Sequence, residues 1–285
     1  MATGALTRIA KQWCPPVLLS VARDVFARMG KSGRGELRGP YPDWQTAERA
    51  STTYASPVIL DAVAAATTKL LKGEAAYERD SVVFPEVDWP WPLLAALGRQ
   101  AACDGGELRV LDFGGSLGST GLIARRFLDP RIQMRWHIVE QPHYVARAAE
   151  LPFPDSLSFF TSIEAATASF APNIVIVSGV LHYLPEPFRT LTRLSNLGAD
   201  TLLIDRTPCT DGPEDIITVQ HVPASIFPAS YPSWLFARRR MMAAVSSRYR
   251  EVARFGGGEQ LTFHRRQIAH EGWLFERIDP SQGSR

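Results

Sequence analysis

The chain has 285 residues, of which 45% are hydrophobic and 21% charged, values typical of a globular protein with one large domain or one domain with additions. The formal net charge of +2 is too small to indicate a nucleic-acid partner, so we expect none. Three cysteines, Cys14, Cys103 and Cys209, lie far apart without metal-ligand spacing, which predicts a reduced, cytoplasmic protein without a metal site. No apolar run is long enough to span a membrane, and we predict no signal peptide.

The first 40 residues are strongly basic. They hold seven lysines and arginines against two acids, and Val17, Val21, Val25 and Met29 recur among them at helical spacing. This pattern fits two interpretations, a surface helix packed on the domain or peripheral contact with the anionic inner face of a membrane. The sequence alone leaves both open.

Residues 1–106 show almost no strand pattern. Helices are predicted at 43–50 and 57–71, and a shorter helix follows the Trp-Pro-Trp-Pro stretch at 89–92 and ends near Gln100. Glycine- and proline-rich breakers separate these segments. We therefore predict that this part of the chain is an N-terminal helical region that caps the ligand site.

After residue 107, short apolar runs alternate with helical segments. Strands are predicted at 108–113, 134–139, 157–161, 173–178 and 201–205. Helices are predicted at 117–128, 142–150, 162–169 and 186–197. The alternation predicts βαβ units in a mostly parallel sheet, an α/β fold whose ligands bind beyond the carboxyl ends of the strands.

The last part of the chain departs from this alternation. Residues 206–247 hold five prolines and several aromatic side chains, which predicts an insertion over the active site. Strand-like runs return at 249–255 and 272–278 and are predicted to pair antiparallel at the end of the sheet. Residues 107–285 together are predicted to form one ligand-binding domain.

A glycine-rich turn follows the first predicted strand of this domain. The strand ends in Asp112, and Gly114, Gly115 and Gly118 then lead into a helix. Glycine permits a positive φ and a close approach of ligand to backbone, and a helix start presents unpaired N–H groups. We call residues 112–118 the glycine turn and predict that it binds the cofactor.

Three interpretations of the glycine turn compete. A dinucleotide-binding turn would need glycine where Ser116 and Ser119 stand. A hydrolase nucleophile elbow, G-x-S-x-G, fits Ser116 by letter, but that fold places several strands before the serine, and residues 1–106 predict none. The third is a turn for S-adenosylmethionine (SAM), whose amino group and sugar hydroxyls suit the carboxylate of Asp112, whereas a pyrophosphate gains nothing from it.

Polar residues after the second and third predicted strands extend this site. Glu140, followed by Gln141, ends the second strand where an acid can accept hydrogen bonds from both ribose hydroxyls. After the third strand, Ser162 is a candidate for the adenine edge and Ile163 for the adenine face. NAD and SAM both carry these groups, so Glu140 does not distinguish them.

The loop after the fourth strand holds the candidate catalytic residues. Ser178 and Gly179 would border the methyl donor, and His182 is a candidate general base because its pKa lies near neutrality. Tyr183 is placed to face the sulfonium with its ring. The alternative is an aromatic pair that only packs against cofactor or core.

The insertion adds candidate acceptor contacts. Gln220, Tyr231 and Trp234 combine aromatic faces with polar groups, which suits a sugar ring or a planar molecule, and His221 is a second candidate base. The alternative is a hydrophobic lid without direct contact to the acceptor.

Six stretches of the chain carry a family resemblance. They are 39–44, 77–81, 110–118, 178–184, 219–223 and 227–232. Together they resemble class I SAM-dependent methyltransferases with a Rossmann-like sheet, and more narrowly a bacterial methyltransferase family associated with cell-surface polysaccharide biosynthesis. The resemblance implies a seven-strand, mostly parallel sheet under an N-terminal helical cap.

The resemblance also implies a function. SAM would be the cofactor, Arg79 would bind its methionine carboxylate, and the methyl group would pass to an oxygen or nitrogen of a small molecule or saccharide. For Arg79 the alternative is an exposed ion pair. Two functional alternatives stay open, a serine hydrolase that uses Ser116 and a non-catalytic SAM-binding module.

Overall fold

The computed structural model describes residues 35–52, 57–79, 82–222 and 229–279, and these form twelve strands and eight helices. The strands are β1 (Gly35–Tyr41), β2 (Tyr77–Arg79), β3 (Val82–Phe84), β4 (Glu107–Phe113), β5 (Gln133–Val139), β6 (Leu157–Phe160), β7 (Ile174–Ser178), β8 (Thr201–Thr210), β9 (Ile216–His221), β10 (Ser230–Ala237), β11 (Tyr249–Phe263) and β12 (Arg266–Arg277). The helices are α1 (Trp44–Arg49), α2 (Pro57–Leu71), α3 (Trp91–Cys103), α4 (Ser119–Phe127), α5 (Pro142–Ala148), α6 (Ile163–Thr167), α7 (Pro187–Ser195) and α8 (Arg238–Val245). A 3₁₀ turn spans Leu181–Tyr183.

The predicted α/β alternation is confirmed. Strands β6, β5, β4, β7 and β8 lie side by side in that order and all pair in parallel. The order reverses between β4 and β7, the place in such a sheet where ligands bind. The predicted bounds of these strands and their helices differ from the observed ones by a few residues, apart from β8, which continues to Thr210.

The core lies on both faces of this parallel sheet. Alternate residues of the central strands point to opposite faces, so a strand covered on both sides is apolar throughout, as Ile174–Val177 of β7 are. On one face Val175 and Val177 pack with Leu191 and Leu194 of α7. On the other face Ile174 and Ile176 pack with Leu93, Leu94 and Leu97 of α3.

The predicted antiparallel pair is present and is longer than predicted. Strand β12 pairs antiparallel with β8 on one side and with β11 on the other. It is the one antiparallel member of the seven neighbouring strands β6, β5, β4, β7, β8, β12 and β11 in the described residues.

The seven-strand prediction is wrong in its count, because three further strands bring the sheet to ten. Strand β1 pairs with β11 and β9, β9 pairs with β10, and β10 pairs at its end with β8. Strands β8, β12, β11, β1, β9 and β10 therefore close into a six-stranded barrel beside the parallel half of the sheet.

The barrel shows what the predicted insertion at residues 206–247 contains. This segment supplies the second half of β8, all of β9 and β10, and helix α8. Its prolines argue against strands, because proline has no N–H to donate, yet Pro232 lies inside β10. The described pairing of β10 with β8 is confined to Phe236 and Ala237, so Pro232 interrupts no two-sided ladder.

The N-terminal part is also not purely helical. Strand β1 belongs to the main sheet, and β2 and β3 form a hairpin that packs on α2 and α4. The local pattern hid β1 because Gly39 and Pro40 fall within it, where the register with β9 shifts between Arg38 and Tyr41.

Two expectations concern membranes. None of the described helices combines the length and apolar character needed to cross a bilayer. The basic segment considered for peripheral membrane contact lies outside the described residues as far as residue 34.

Candidate active site

The glycine turn lies between β4 and α4, at the point where the strand order reverses. Gly114, Ser116 and Gly118 have φ angles of +74°, +52° and +76°. A Cβ atom at Gly114 would lie 2.5 Å from Val180 in the loop after β7. The turn is therefore packed directly against the loop that carries the candidate catalytic residues, which fits the predicted place of the ligand.

Asp112 lies beneath the turn rather than on its surface. It is 2% exposed, its Oδ2 accepts a hydrogen bond of 3.0 Å from Trp136 Nε1, and a Cβ atom at Gly115 would lie 2.5 Å from the same oxygen. Burial raises the pKa of Asp112 to about 7; the indole bond opposes this rise and the charge of Glu140 adds to it. A cationic group near this pair would stabilise both carboxylates in their charged form.

Glu140 joins the end of β5 to the turn. Its Oε1 accepts from the N–H of Ser116 at 3.2 Å, and its Oε2 accepts from the N–H of Gln141 at 2.7 Å. Burial raises the pKa of Glu140, against the lowering effect of these two bonds and of His143. Each carboxylate oxygen keeps a lone pair that can accept from a ligand hydroxyl.

The residues after β6 have structural partners. The Ser162 hydroxyl caps α6 by accepting from the N–H of Ala165 at 3.1 Å, and Ile163 is buried in the core beside Val139. Their predicted adenine contacts stay predictions.

The loop after β7 begins with Ser178, which is half-buried, and Gly179, which has a φ of +67°. The N–H of Gly179 donates to the Asp205 carbonyl at 3.1 Å. A Cβ atom at Gly179 would lie 3.3 Å from the guanidinium of Arg206. Glycine thus lets the guanidinium approach the backbone beside the glycine turn.

His182 does not lie at the rim of the site, which corrects its predicted position. It is 1% exposed, its ring centre lies 3.8 Å from that of Tyr183 and 5.8 Å from that of His270, and its Nδ1 has no hydrogen-bond partner among the described residues. Burial, together with the charges of His270 and Arg206, holds the pKa of His182 well below its ordinary value. The imidazole is consequently neutral at neutral pH.

Three predicted site residues from distant parts of the chain meet beside His182. The Tyr183 hydroxyl donates to Gln220 Oε1 at 3.2 Å, and the rings of Tyr183 and Tyr231 pack edge to face with centres 5.0 Å apart. Gln220 and Tyr231 are direct partners in the β9–β10 ladder. We call Tyr183, Gln220 and Tyr231 the tyrosine–glutamine cluster.

His270 is a residue of this region that no sequence pattern pointed to. It lies on β12 and is 2% exposed, with its ring against His182. The strand predicted in this part of the chain began only at residue 272, and an isolated histidine upstream of it carried no spacing signal.

Two other candidates do not join the cluster. Side chains alternate along a strand, so His221 lies on the opposite face of β9 from Gln220. Burial and the charge of Arg38 lower the pKa of His221, against the opposite effect of Glu36. Trp234 likewise lies on the opposite face of β10 from Tyr231; its Nε1 donates to the Leu184 carbonyl at 3.0 Å and its ring stacks on Trp44. These placements argue against His221 as a base and Trp234 as an acceptor contact in this site.

Arg79 belongs to the hairpin beside the glycine turn. Its backbone pairs with Val82, and its side chain lies outside what the structure describes. The adjacent Glu78 is buried and accepts a short hydrogen bond from the hydroxyl of Ser119, the first residue of α4. The hairpin is thus anchored at the turn, and the role of Arg79 stays a prediction.

In the described ranges, no three His, Cys, Asp or Glu side chains lie close enough together to hold a metal ion. Of the cysteines, Cys103 and Cys209 are free thiols.

Comparison with known proteins gives similarity to solved structures alone. No family model matches the chain, and no curated protein matches it at a significant level. One similar structure is the 1,6-didemethyltoxoflavin N1-methyltransferase of Burkholderia thailandensis with bound 1,6-didemethyltoxoflavin and S-adenosylhomocysteine (SAH), at 16% identity and a TM-score of 0.43, covering 86% of this chain and 100% of that one.

Two further structures, both with bound SAH, are similar to the same degree. The magnesium protoporphyrin IX methyltransferase of Synechocystis PCC 6803 is 14% identical with a TM-score of 0.44, covering 66% of this chain and 82% of that one. The N-methyltransferase NodS of Bradyrhizobium japonicum is 15% identical with a TM-score of 0.40, covering 75% of this chain and 100% of that one. At these identities and TM-scores, the similarity assigns no function to this chain.

Proposed function

We propose that this protein is a SAM-dependent methyltransferase that acts on an oxygen or nitrogen of a small molecule. One observation carries the proposal: the buried Asp112 and the half-buried Glu140 both contact the glycine turn, where the strand order reverses. Two acids on one turn, one of them buried, stabilise a ligand with a cation and hydrogen-bond donors and repel one with phosphates.

SAM meets both requirements of this site. Its ammonium group would offset the repulsion between the carboxylates of Asp112 and Glu140. Its ribose hydroxyls would donate to Glu140, whose position is fixed by the N–H groups of Ser116 and Gln141. The pyrophosphate of a dinucleotide would instead place negative charge next to these acids. The pair therefore favours SAM over NAD.

The bound cofactor supplies an electrophilic methyl group. The chain's own residues would act by positioning: the glycine turn and Glu140 would hold the cofactor, and the half-buried Tyr183 belongs to the loop that would border the methyl donor. His182 is neutral and can accept the proton of an acceptor hydroxyl, a step needed only for an acceptor that must lose its proton. Saccharides, which the family resemblance indicates, remain among the proposed acceptors.

A serine hydrolase is the second candidate, because Ser116 has the positive φ of a strand–turn–helix nucleophile. The hydrogen bond that the structure shows for Ser116 runs from its N–H to Glu140 and involves no histidine. A hydrolase would need a base beside the hydroxyl, so we rank this candidate lower. A SAM-binding module without catalysis differs from the proposal only in the absence of turnover.

Calorimetric titration of the full chain with SAM, SAH and NAD tests the proposal. We expect SAM and SAH to bind and NAD not to, and Glu140→Gln to weaken SAH binding roughly tenfold or more, the cost of a charged hydrogen bond. Glu150→Gln, which removes an exposed carboxylate from the end of α5, is the matched control and should bind SAH like the wild type. Binding of NAD in place of SAM, or no effect of Glu140→Gln, would overturn the proposal.

A further inference from the structure

We propose that the tyrosine–glutamine cluster, with His182 and His270 behind it, is the acceptor site, and that it takes an uncharged ring carrying a hydroxyl group. This inference rests on the proposed methyl transfer and adds where the acceptor binds and what its chemistry is. Four separate parts of the chain build the site, namely the loop after β7 and the strands β9, β10 and β12.

Val180, which contacts the glycine turn, lies three residues before Tyr183 of this site. Val180 packs against Gly114 of the glycine turn, and the same loop reaches Tyr183 of the cluster through the 3₁₀ turn. A ligand against Tyr183 therefore lies next to the end of β7, where the methyl group of the cofactor is expected.

The cluster faces the interior of the barrel. Gln220 stands opposite Leu37 on β1 and opposite Tyr231 on β10, so the three side chains share one face. Leu37, Leu235 and Leu261 come from strands that are not all neighbours, yet they form one buried cluster, which places that face inside the barrel. Tyr183 and Tyr231 are half-buried and form the accessible part of the site.

His182 supplies the unsatisfied group of the site. It is 99% buried, since 1% of its surface is exposed, and its Nδ1 has no hydrogen-bond partner in the part of the chain that the structure describes. A buried polar atom left without a partner is costly, and a ligand hydroxyl that donates to it would remove this cost.

The charged neighbours of His182 select against a cationic acceptor. His270 and Arg206 both oppose positive charge at the imidazole. Glu271, the acid next to His270 on β12, is engaged by Arg238 through three hydrogen bonds to its carboxylate. The remaining lining groups, two phenols and one amide, are neutral hydrogen-bonding groups beside aromatic rings, which suits a hydroxylated ring.

The reaction at this site would be an in-line displacement. The lone pair of the acceptor hydroxyl forms the new C–O bond, the C–S bond of the sulfonium breaks with its electron pair moving to sulfur, and SAH leaves. The hydroxyl proton moves onto Nδ1 of His182 as the C–O bond forms and is released to water when the products leave, so that atoms and charge balance.

Histidine NMR of the full chain, labelled at its histidines and saturated with SAH, tests the inference. The probes are phenol, which carries one hydroxyl on an aromatic ring, and methyl α-D-glucopyranoside, which carries hydroxyls on a sugar ring, with benzylammonium as the charged control. We expect at least one neutral probe to shift the His182 and His270 signals, which His182→Gln and His270→Gln assign, and benzylammonium to leave them in place.

Variants then locate the site. Gln220→Ala and Tyr183→Phe should each weaken binding of the neutral probe roughly tenfold, the loss of about one hydrogen bond in a buried site. Gln267→Ala removes an exposed glutamine of β12 and is the matched control. All three variants should keep the thermal midpoint and SAH affinity of the wild type within about twofold, so that loss of probe binding reports the site and not the fold.

The possible outcomes test the acceptor site and the methyltransferase proposal separately. Shifts by neither neutral probe, equal shifts by benzylammonium, or undiminished shifts in both Gln220→Ala and Tyr183→Phe overturn the acceptor site while the methyltransferase proposal stands. Failure of the wild type to bind SAH overturns the methyltransferase proposal itself and is seen before any probe is added.

Discussion

The indole N–H of Trp136 on β5 donates a hydrogen bond of 3.0 Å to Oδ2 of Asp112 on the neighbouring strand β4, and both side chains are buried. The indole ring packs closely on the backbone of α4, because a Cβ atom at Gly121 would lie 3.1 Å from the ring. One neutral donor offsets only part of the cost of burying a carboxylate, so the pKa of Asp112 remains raised to about 7. The chain thus carries a destabilising charge under its glycine turn.

Asp112→Asn should therefore stabilise the protein at alkaline pH. The folded-state pKa of about 7 lies above the ordinary 3.8, so between these values the folded state keeps a proton that the unfolded state releases. The contribution of Asp112 to wild-type stability therefore falls as pH rises from about 4 to 7. Asparagine keeps an acceptor for Trp136 without the charge. We expect the variant to gain roughly 2–4 kcal/mol of unfolding free energy at pH 8 and little near pH 4.5.

Urea unfolding at the two pH values measures this difference. Asp155→Asn makes the same change at an exposed carboxylate and is the matched control. It should gain little unfolding free energy at either pH. A gain for Asp112→Asn that is equal at pH 4.5 and pH 8 would mean that its charge is not the cause. The same variant should bind SAH more weakly, because the ligand loses a carboxylate close to its ammonium group.

Gly115→Ala tests the close approach of the turn to Asp112. The added methyl group would meet the carboxylate at 2.5 Å, so backbone or carboxylate must move. We expect a loss of roughly 1–3 kcal/mol in unfolding free energy, the usual cost of overpacking, and weaker SAH binding in calorimetry. Gly98→Ala in α3 is the matched control: its methyl group meets nothing within 4 Å and should stabilise the helix by roughly 0.5–1 kcal/mol. Equal stability of the two variants would contradict the contact.

The parallel half of the fold could be predicted because its signals are local. A strand such as β7 is buried on both faces and must be apolar throughout, and the helices between strands end at clear stops such as Asp129-Pro130 and Gly198. The glycine turn and Glu140 follow from the same pattern, since both lie at the carboxyl ends of neighbouring strands.

The barrel could not be predicted because it depends on pairings between distant segments. Glu36 of β1 pairs with His221 of β9, and nothing near residue 36 indicates that partner. The position of His182 has a similar cause: one residue of rotation in the 3₁₀ turn decides whether a side chain faces solvent or core, and spacing along the chain does not fix it. His270 becomes visible only through β12, which is longer than its apolar pattern predicts.

Ser116→Gly distinguishes two roles for the glycine turn, cofactor binding and a hydrolase nucleophile elbow. Glycine adopts the φ of +52° without strain and keeps the N–H that donates to Glu140, so stability should stay within about 1 kcal/mol and SAH binding should persist. Ser119→Gly, by contrast, removes the hydroxyl that donates to Glu78 and should destabilise the hairpin over the turn. Labelling of wild-type Ser116 by a fluorophosphonate probe, or loss of all activity in Ser116→Gly with SAH still bound, would favour the hydrolase.

The last prediction concerns the charge of His182. Burial and the charges of His270 and Arg206 lower its pKa well below 6.5, so its imidazole should stay neutral through the range in which a free histidine gains a proton. An NMR titration of the labelled full chain measures this, with His182→Gln to assign the signal.

Removing one of the opposing charges gives the direction of the effect. His270→Gln should raise the pKa of His182, whereas His264→Gln, which changes an exposed histidine at the turn between β11 and β12, should leave it unchanged. If His182 accepts the acceptor proton, turnover should fall on the acid side only below the ordinary histidine range, and His182→Ala should lower it roughly 10²–10⁴-fold with little change in SAH affinity. A titration midpoint of His182 at or above 6.5 would show that the ring is solvated. Full turnover of His182→Ala would show that positioning by the glycine turn and the tyrosine–glutamine cluster is the source of the rate.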